Sequence, residues 1–590
     1  MCVLPFMKLF IVLSIICNIF VLITFQQMKS LRNTLLLTAA AVMLVFAACK
    51  KPVPTQTKYI PKDVSFVFAA NVKNLQEKLE KSKISIDSLF KKAIAESKSS
   101  ASELAKWDDF KNAGVKWQSE IYVYMQSKGA MITGSNAIFG AVAAMDDKSK
   151  FQAYLKKQAP DAEIKEGSGY SYANIKGGFS IGWNSDVIVV AGAVGEKYSN
   201  NGTVNNAEAQ ITAAFSQKEA ESVAGIPEFR ELAGKKSDAL VWSNSTASLA
   251  AIPMIGLTKA ADLFKDCYSA ATLNFEDGKI TGESATYMGK ALSDIVKKYD
   301  MPEVDIKALE KFPSNNIDGF ISMSFQPGIL VDIVKYMGVE AIANQYLASM
   351  GFSLEDIIKA FKGEFTFIAS DFAIEEKPNA FLPQYKTKQP VFKMIVNAKM
   401  GDKAAYTKVT NALAAKGILV QQGNQYVPAM ATGGYPVTLD EKDLYFASDS
   451  VVLQQYKAGA GKAAISDEIK NKIKGKASAV YFDFSKIIAG IPADSSYAAL
   501  KAEAQATFKD FIAVSERKFD GKKIGSSFEL RTGNDKENSL ASIIKFVQKA
   551  VAAAETERKS RNAILDEEVT LDSLPAGDVV APPLLEQPNK

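Results

Sequence analysis

The sequence predicts an α+β fold: two similar tandem halves, each a mainly antiparallel sheet with helices packed on one face. Three observations predict it. Six segments of the first part of the chain recur in the same order in the second, at an offset of about 245 to 255 residues. Short runs alternate apolar and polar residues, as in Phe66, Phe68 and Ala70, which is the period of a half-buried strand. Apolar residues also recur at helical spacing after polar caps, as with Phe151, Tyr154 and Leu155 in AMDDKSKFQAYLKK.

The repeats come in order. IPKDVSFVFAANVKNL from Ile60 matches FPSNNIDGFISMSFQPGIL from Phe312, each a proline, a polar turn, a strand and a helix start. EIYVYM from Glu120 matches EFTFIA from Glu364. AVAAMDDKSKFQAYLKK from Ala141 matches VNAKMGDKAAYTKVTNAL from Val396, aligning Met145 with Met400 and Asp147 with Asp402. DVIVVAG from Asp186 matches DLYFASD from Asp443. The segment from Ile226 matches that from Ile465, and the segment from Phe264 matches that from Phe508. In the last pair, Glu276-Asp277-Gly278 and Phe519-Asp520-Gly521 place Asp-Gly between two strands, a strong hairpin signal because both residues accept the left-handed turn conformation. Hairpin-linked strands make antiparallel sheets, so the halves are placed at residues 59–300 and 301–554. Each reads roughly as β-α-α-β-β-α-β-β-β-α-β-α-β-β-α. The segment 555–590, acidic after Asp566 and Pro-rich, reads as a disordered tail.

The N-terminus carries two apolar runs. Residues 28–48 combine a basic start, Lys29 and Arg32, with an apolar run from Leu35 to Ala48 of signal-peptide length. The run ends in Ala47 and Ala48 directly before Cys49, and Phe46 stands three before the cysteine. This resembles the bacterial lipobox, in which the bond before the cysteine (here Ala48–Cys49) is cut and the cysteine lipidated. Residues 1–27 hold a second apolar run, Leu9 to Phe25, assigned to an over-extended start, with an extra apolar segment as the alternative. Residues 49–58, with Lys50, Lys51, Pro52 and Pro54, read as a lipid-tethered linker. With the lipobox, the IPKDVSFVFAANVKNL opening and the paired β-α segments, the chain resembles a family of Bacteroidetes lipoproteins known as domain of unknown function 4836, over about residues 55 to 550. The resemblance implies a lipoprotein address and no established activity. Lysines rather than acidic residues after the lipidated cysteine imply, by the same likeness, an outer-membrane protein facing the periplasm.

Composition narrows the chemistry. Of 590 residues, 47% are hydrophobic and 23% charged, enough apolar residues for real cores. The chain has no histidine, which removes His-based acid–base catalysis, Ser-His-Asp and Cys-His systems and His-containing metal sites. The net charge of +5 is spread without a basic, aromatic-studded stripe, so no nucleic-acid partner is expected. Of Cys2, Cys17, Cys49 and Cys267, only Cys267 lies in the globular part, as a buried small apolar residue. No Walker loop or GxSxG elbow occurs. Ser88 and Lys91 have SxxK spacing without a KTG companion and read as helix surface. Asp371 ends the strand FTFIASD and Asp483 lies within the strand AVYFDFS, and the two could act as paired carboxylates, although strand-end Asp also serves in turns and helix caps. Asp146, Asp147, Asp402 and Asp440 lack calcium-loop spacing. Trp107, Trp117, Trp183 and Trp242 are assigned to core packing.

No catalytic residue, metal or cofactor is therefore expected. The expected function is a lipid-anchored, non-catalytic binding or structural protein of the envelope. It would hold an envelope protein, glycan or lipid, with the cleft between the halves as the binding place. A carboxylate-dependent hydrolase and a lipid carrier stand as alternatives.

Overall fold

A computed structural model describes residues 53–568, apart from 90, 92–100, 129–135, 176–177, 195–205, 250–258, 380–383, 462 and 493–497. Cys49 and Ala48, and with them the expected cleavage and lipidation site, lie outside the described residues. In the N-terminal part, β1 (Phe66–Asn71), α1 (Val72–Lys81), α2 (Ala101–Lys111), β2 (Glu120–Lys128), β3 (Asn136–Ala144) and α3 (Lys148–Gln158) are followed by four short strands. These are β4 (Ile164–Gly167), β5 (Tyr170–Ile175), β6 (Phe179–Trp183) and β7 (Val187–Val194). Next come α4 (Asn206–Ser216), α5 (Pro227–Ala233), β8 (Ala239–Asn244), α6 (Ser245–Leu249), α7 (Ala260–Leu263), β9 (Tyr268–Glu276), β10 (Lys279–Tyr287) and α8 (Lys290–Val296).

The C-terminal part runs α9 (Ile306–Glu310), β11 (Ile317–Ser324), α10 (Gly328–Met337), α11 (Glu340–Ala348), α12 (Leu354–Ala360), β12 (Phe361–Pro378), β13 (Lys386–Met400) and α13 (Lys403–Ala415). It continues with β14 (Leu419–Gln422), β15 (Gln425–Pro428), β16 (Val437–Leu439), β17 (Asp443–Ala447), α14 (Ser450–Lys457), α15 (Asp467–Ile473), β18 (Lys476–Asp483) and α16 (Phe484–Ala489). It closes with α17 (Ala498–Thr507), β19 (Phe508–Glu516), β20 (Lys523–Thr532) and α18 (Ser539–Glu568). The last helix passes Ala554, where the sequence reading began the tail. KAVAAAETERKSRNAILDEE is rich in Ala, Glu, Lys and Arg, which lose little side-chain freedom in a helix.

Among the described residues, all twenty strands join one antiparallel sheet. Its spatial order is β4-β5-β6-β7-β3-β2-β1-β8-β9-β10-β20-β19-β18-β11-β12-β13-β17-β16-β15-β14. The Asp-Gly turns lie where the sequence put them, between β9 and β10 and between β19 and β20. Helix starts are capped as read: Asp147 accepts from the amides of Ser149 and Lys150, and Asp402 from that of Ala405.

The expectation of helices on one face is corrected by the register. On one face Ile512, Tyr481, Phe320 and Ile368 lie opposite one another across β19, β18, β11 and β12, and they pack with Val452, Leu453 and Tyr456 of α14 and Ile469 and Ile473 of α15. One residue along, Phe511, Phe482 and Gly319 face the other way. There Phe511 shares an apolar cavity with Phe484 and Ile488 of α16. Both faces of these strands carry apolar residues, so both need a helical cover. The corresponding face of the first ten strands buries Val67, Tyr122, Tyr124 and Trp242 against Ile211 of α4 and Phe229 of α5.

Candidate functional site

A polar recess lies on one sheet face where β10 meets β20. Those strands pair over nine residue pairs, from Lys279 opposite Arg531 to Tyr287 opposite Lys523. On the face shared with α5 and α15, alternate residues form a floor: Asn274 and Thr272 of β9, Thr281 and Glu283 of β10, Glu529 and Ser527 of β20, then Ile512 and Val514 of β19. The walls are two loops that follow helices. Lys235 and Lys236 follow α5 on one side, and Lys472 and Lys476 lie at the end of α15 and the start of β18 on the other. Between them is a groove of ≈ 800 Å³.

Its charges are largely paired. The Lys235 ammonium lies 2.9 Å from Glu283, and that of Lys472 lies 2.8 Å from Glu529 and 3.1 Å from Glu468. Lys476 lies 2.5 Å from Glu516. Burial pulls the Lys472 pKa down, but the hydrogen bonds to Glu529 and Glu468 outweigh it and leave the ammonium above its ordinary range. Lys236 has no ion-pair partner among the described residues. Hydroxyls, an amide, carboxylates and ammoniums thus converge on a floor with two aliphatic residues. Such a surface can hold a polar or zwitterionic ligand by hydrogen bonds, and the carboxylates are tied to lysines rather than poised as a general acid and base.

The polypeptide enters beside this groove. Val53, Pro54 and Thr55 line a second cavity, ≈ 930 Å³, whose wall also includes Lys116, Lys235 and Lys236. The two cavities share Gly234, Lys235 and Lys236.

Residues 56–340 match the family model of a domain of unknown function, DUF4836. No curated protein matches the chain. Among solved structures, crystal forms IV, III and I of TP0453 are similar over 41%, 43% and 42% of this chain and 82%, 90% and 86% of theirs. Identities are 8%, 7% and 10% and TM-scores 0.21, 0.23 and 0.22, values at which likeness carries no argument. The DUF4836 match stops at the start of α11, short of the extent of about residue 550 that the sequence resemblance suggested. The groove therefore spans its boundary: β9 and β10 lie inside the match, β19 and β20 beyond it.

The carboxylates singled out in the sequence are brought to one end of the second set of strands and are occupied there. Asp483 caps α16, accepting from the Lys486 amide at 3.2 Å and the Ser485 hydroxyl at 2.5 Å. Asp371 has φ +57° beside a bulge between β12 and β13, a left-handed conformation that Asp tolerates. Its carboxylate accepts from Ser314 at 3.0 Å and Ser370 at 2.9 Å and lies 3.2 Å from Lys393. Burial raises its pKa, and those three partners together bring it below the ordinary value. Neither residue lines the cavities described above.

The sequence reading missed Asp318, which is buried at 4% exposure with Oδ1 unpartnered and Oδ2 accepting from the Phe372 amide at 2.7 Å. Burial raises its pKa, and nearby Asp371 adds to the shift. An Asp inside an apolar strand pattern was the available signal. Because the folded pKa lies above the unfolded one, the folded state holds this proton more tightly. Stability is then lost as pH rises from the unfolded value through the folded one. Asp318→Asn is expected to match wild type near pH 4 and to be more stable by about 1 kcal/mol near pH 7. Thermal midpoints of both proteins across that range check it, and a difference independent of pH would contradict the assignment.

The remaining candidates are structural. Cys267 is buried, its sulfur accepts from the Gly289 amide at 3.2 Å, and burial pushes the thiol up to about 11 despite that bond. Trp183 and Trp242 are fully buried, while Trp107 and Trp117 flank Phe110 in a half-buried cluster. Lys91 pairs with Asp87 and Asp108 rather than lying free to activate Ser88.

Proposed function

We propose that this chain is a lipid-anchored envelope protein made of two copies of one α+β unit, which holds a polar partner or ligand in the groove where the copies meet and does not catalyse. The observation that carries the reading is the β10–β20 register. The matched segments align Lys279 with Lys523 and Tyr287 with Arg531, and in the sheet Lys279 lies opposite Arg531 and Tyr287 opposite Lys523. Each strand meets its own counterpart, as two subunits do across a twofold axis. The strand pairings support the same reading: β1 is flanked by β2 and β8 as β11 is by β12 and β18, and β3 joins β7 as β13 joins β17. The groove lies on that axis, the place where ligands settle between like domains.

The address rests on the lipobox and on the path of the tether. Val53 is a few residues beyond Cys49, within about 14 Å along an extended chain. A lipid on Cys49 would hold the Val53–Thr55 cavity, and the groove beside it, close to the membrane surface. The periplasmic face of the outer membrane is the proposed location.

One experiment tests both parts. The full gene and its Cys49→Ala variant are expressed with a photo-crosslinking residue at Thr281 on the groove floor, and with the same residue at exposed Ile342 as control. The expected result is a mature N-terminus at lipidated Cys49, membrane association lost in the variant, and envelope adducts at Thr281 that Ile342 does not give. An intact N-terminus before Met28, with membrane association surviving the mutation, would overturn the anchor. Turnover of an envelope substrate that Asp371→Asn abolishes would overturn the non-catalytic reading.

A further inference from the structure

At the far edge of the sheet, β14 pairs with β15 alone among the described residues. Beside it, on the face that carries α14, lies a cavity of ≈ 850 Å³ between the β14–β15 hairpin, β16 and α14. Thr438 of β16 lines it, buried at 9% exposure, and its hydroxyl has no hydrogen-bond partner. A buried polar group left unpaired calls for an explanation, and a ligand is one.

The opposite end of the sheet supplies an internal comparison. There Gly182 of β6 lies opposite Val189 of β7, as Thr438 lies opposite Tyr445 of β17. A Cβ at Gly182 would come within 2.4 Å of Ile211 and 2.7 Å of Phe215, both on α4. Tyr170 of β5 stacks on Phe215 with ring centroids 4.4 Å apart. Aromatic rings thus fill the space between hairpin and helix. In the second location Gln425 and Val427 replace the tyrosines of β5, and Ser450 and Gln454 stand on the helix, so the space is open.

The cavity's chemistry narrows the occupant. Among the described residues that line it, the one ionisable residue, Lys457, is already held by Gln425 at 3.0 Å and Asp440 at 3.7 Å, so nothing there calls for a charged ligand. Gln422, Gln425 and Gln454 offer amides that match peptide groups. Met430 of the lining is exposed at 83%, as are Val420, opposite Val427, at 46% and Val451, next to Ser450, at 61%. The Ala429 amide donates to the Ile418 carbonyl, which sets the inward ladder at 418, 420 and 422 and turns the main-chain groups of Leu419 and Gln421 outward. That edge is a template for one more strand.

We propose that this edge and cavity bind an uncharged, extended peptide segment, which pairs with β14 through its main chain and places a Ser or Thr side chain in the cavity, its hydroxyl meeting that of Thr438. The site is separate from the groove on the axis and does not depend on it.

The test uses the full mature chain and a panel of end-capped, uncharged peptides of about eight residues alternating Val or Leu with Thr or Ser, a length that spans one strand. Gln421→Pro removes the outward amide at an edge position that tolerates proline, and Gln454→Trp fills the mouth from an exposed position. The expected result is saturable binding by fluorescence anisotropy, weakened about tenfold or more by each substitution with circular dichroism unchanged. No binding below about 1 mM by any peptide overturns the proposal. So does equal binding of a capped single amino acid that Gln421→Pro leaves intact, which would mean a small-molecule pocket. Concentration-dependent dimers lost in Gln421→Pro, with no peptide binding, would assign the edge to a second copy of this chain and overturn it as well.

Discussion

Replacing Arg531 with methionine is expected to destabilise the protein by about 3 to 5 kcal/mol, the cost of leaving a buried charge without its partner. Arg531 of β20 donates two hydrogen bonds of 2.6 Å to Asp510, directly opposite on β19, whose side chain is 6% exposed. Two more, at 2.8 and 2.9 Å, reach Glu468 at the start of α15. The Asp510 bonds, and then Glu468, raise the guanidinium pKa against the opposing effect of burial. Lysine at 531 keeps the charge but not the fork, so about 1 to 2 kcal/mol should be lost instead. Urea denaturation followed by circular dichroism reads both. All four tryptophans precede residue 300, so their fluorescence reports the first ten strands. Because β10 and β20 form a continuous ladder, and Lys522 and Lys523 pair with Glu228 and Glu231 of α5, the fluorescence transition should move with the circular dichroism transition. A fluorescence midpoint unmoved by Arg531→Met would show that the two sets of strands unfold independently.

Trp242→Ala is expected to cost a similar amount, about 3 to 5 kcal/mol, through lost apolar burial and the cavity left behind. The indole is 0% exposed, stacked on Tyr268 at 4.7 Å and met edge-on by Phe229 at 5.4 Å. It joins strand β8 to helix α5 at the centre of the first core. Its Nε1 has no hydrogen-bond partner. Trp242→Phe removes that unpaired donor while keeping an aromatic ring, so it should lose much less, about 1 kcal/mol. If alanine and phenylalanine cost the same, a phenyl ring recovers none of the lost packing, and the account of the core is wrong.

Element types were legible in the sequence because they depend on neighbours. Alternation in FVFAAN, caps at Asp147 and Asp402, and Asp-Gly turns after Glu276 and Phe519 act within a few residues. The absence of histidine needed no coordinates to bound the chemistry. The strand count was short by one: β4 to β7 run as four strands, since IKEG is too brief and polar to show an alternation. The alignment of DVIVVAG with DLYFASD also slips by one residue. Val187 lies opposite Ala144 and Asp443 opposite Lys399, each next to its matched methionine, so Val187 rather than Asp186 holds the place of Asp443. Both segments start with Asp and then run apolar, so composition cannot tell the registers apart, whereas a one-residue slip turns every side chain to the other face.

The sequence alone determined the mixed helix-and-strand class, the caps and turns, and the exclusion of histidine chemistry, because each is local or compositional. It could not decide that β10 would pair with β20, that helices would cover both faces, or that Asp371 and Asp483 would be occupied by their neighbours. Nor could it show the groove that brings Lys235 and Lys236 together with Lys472 and Lys476, more than two hundred positions further along the chain. Those outcomes follow from which surfaces remain to be buried once the local elements exist, and that is a property of their packing in three dimensions.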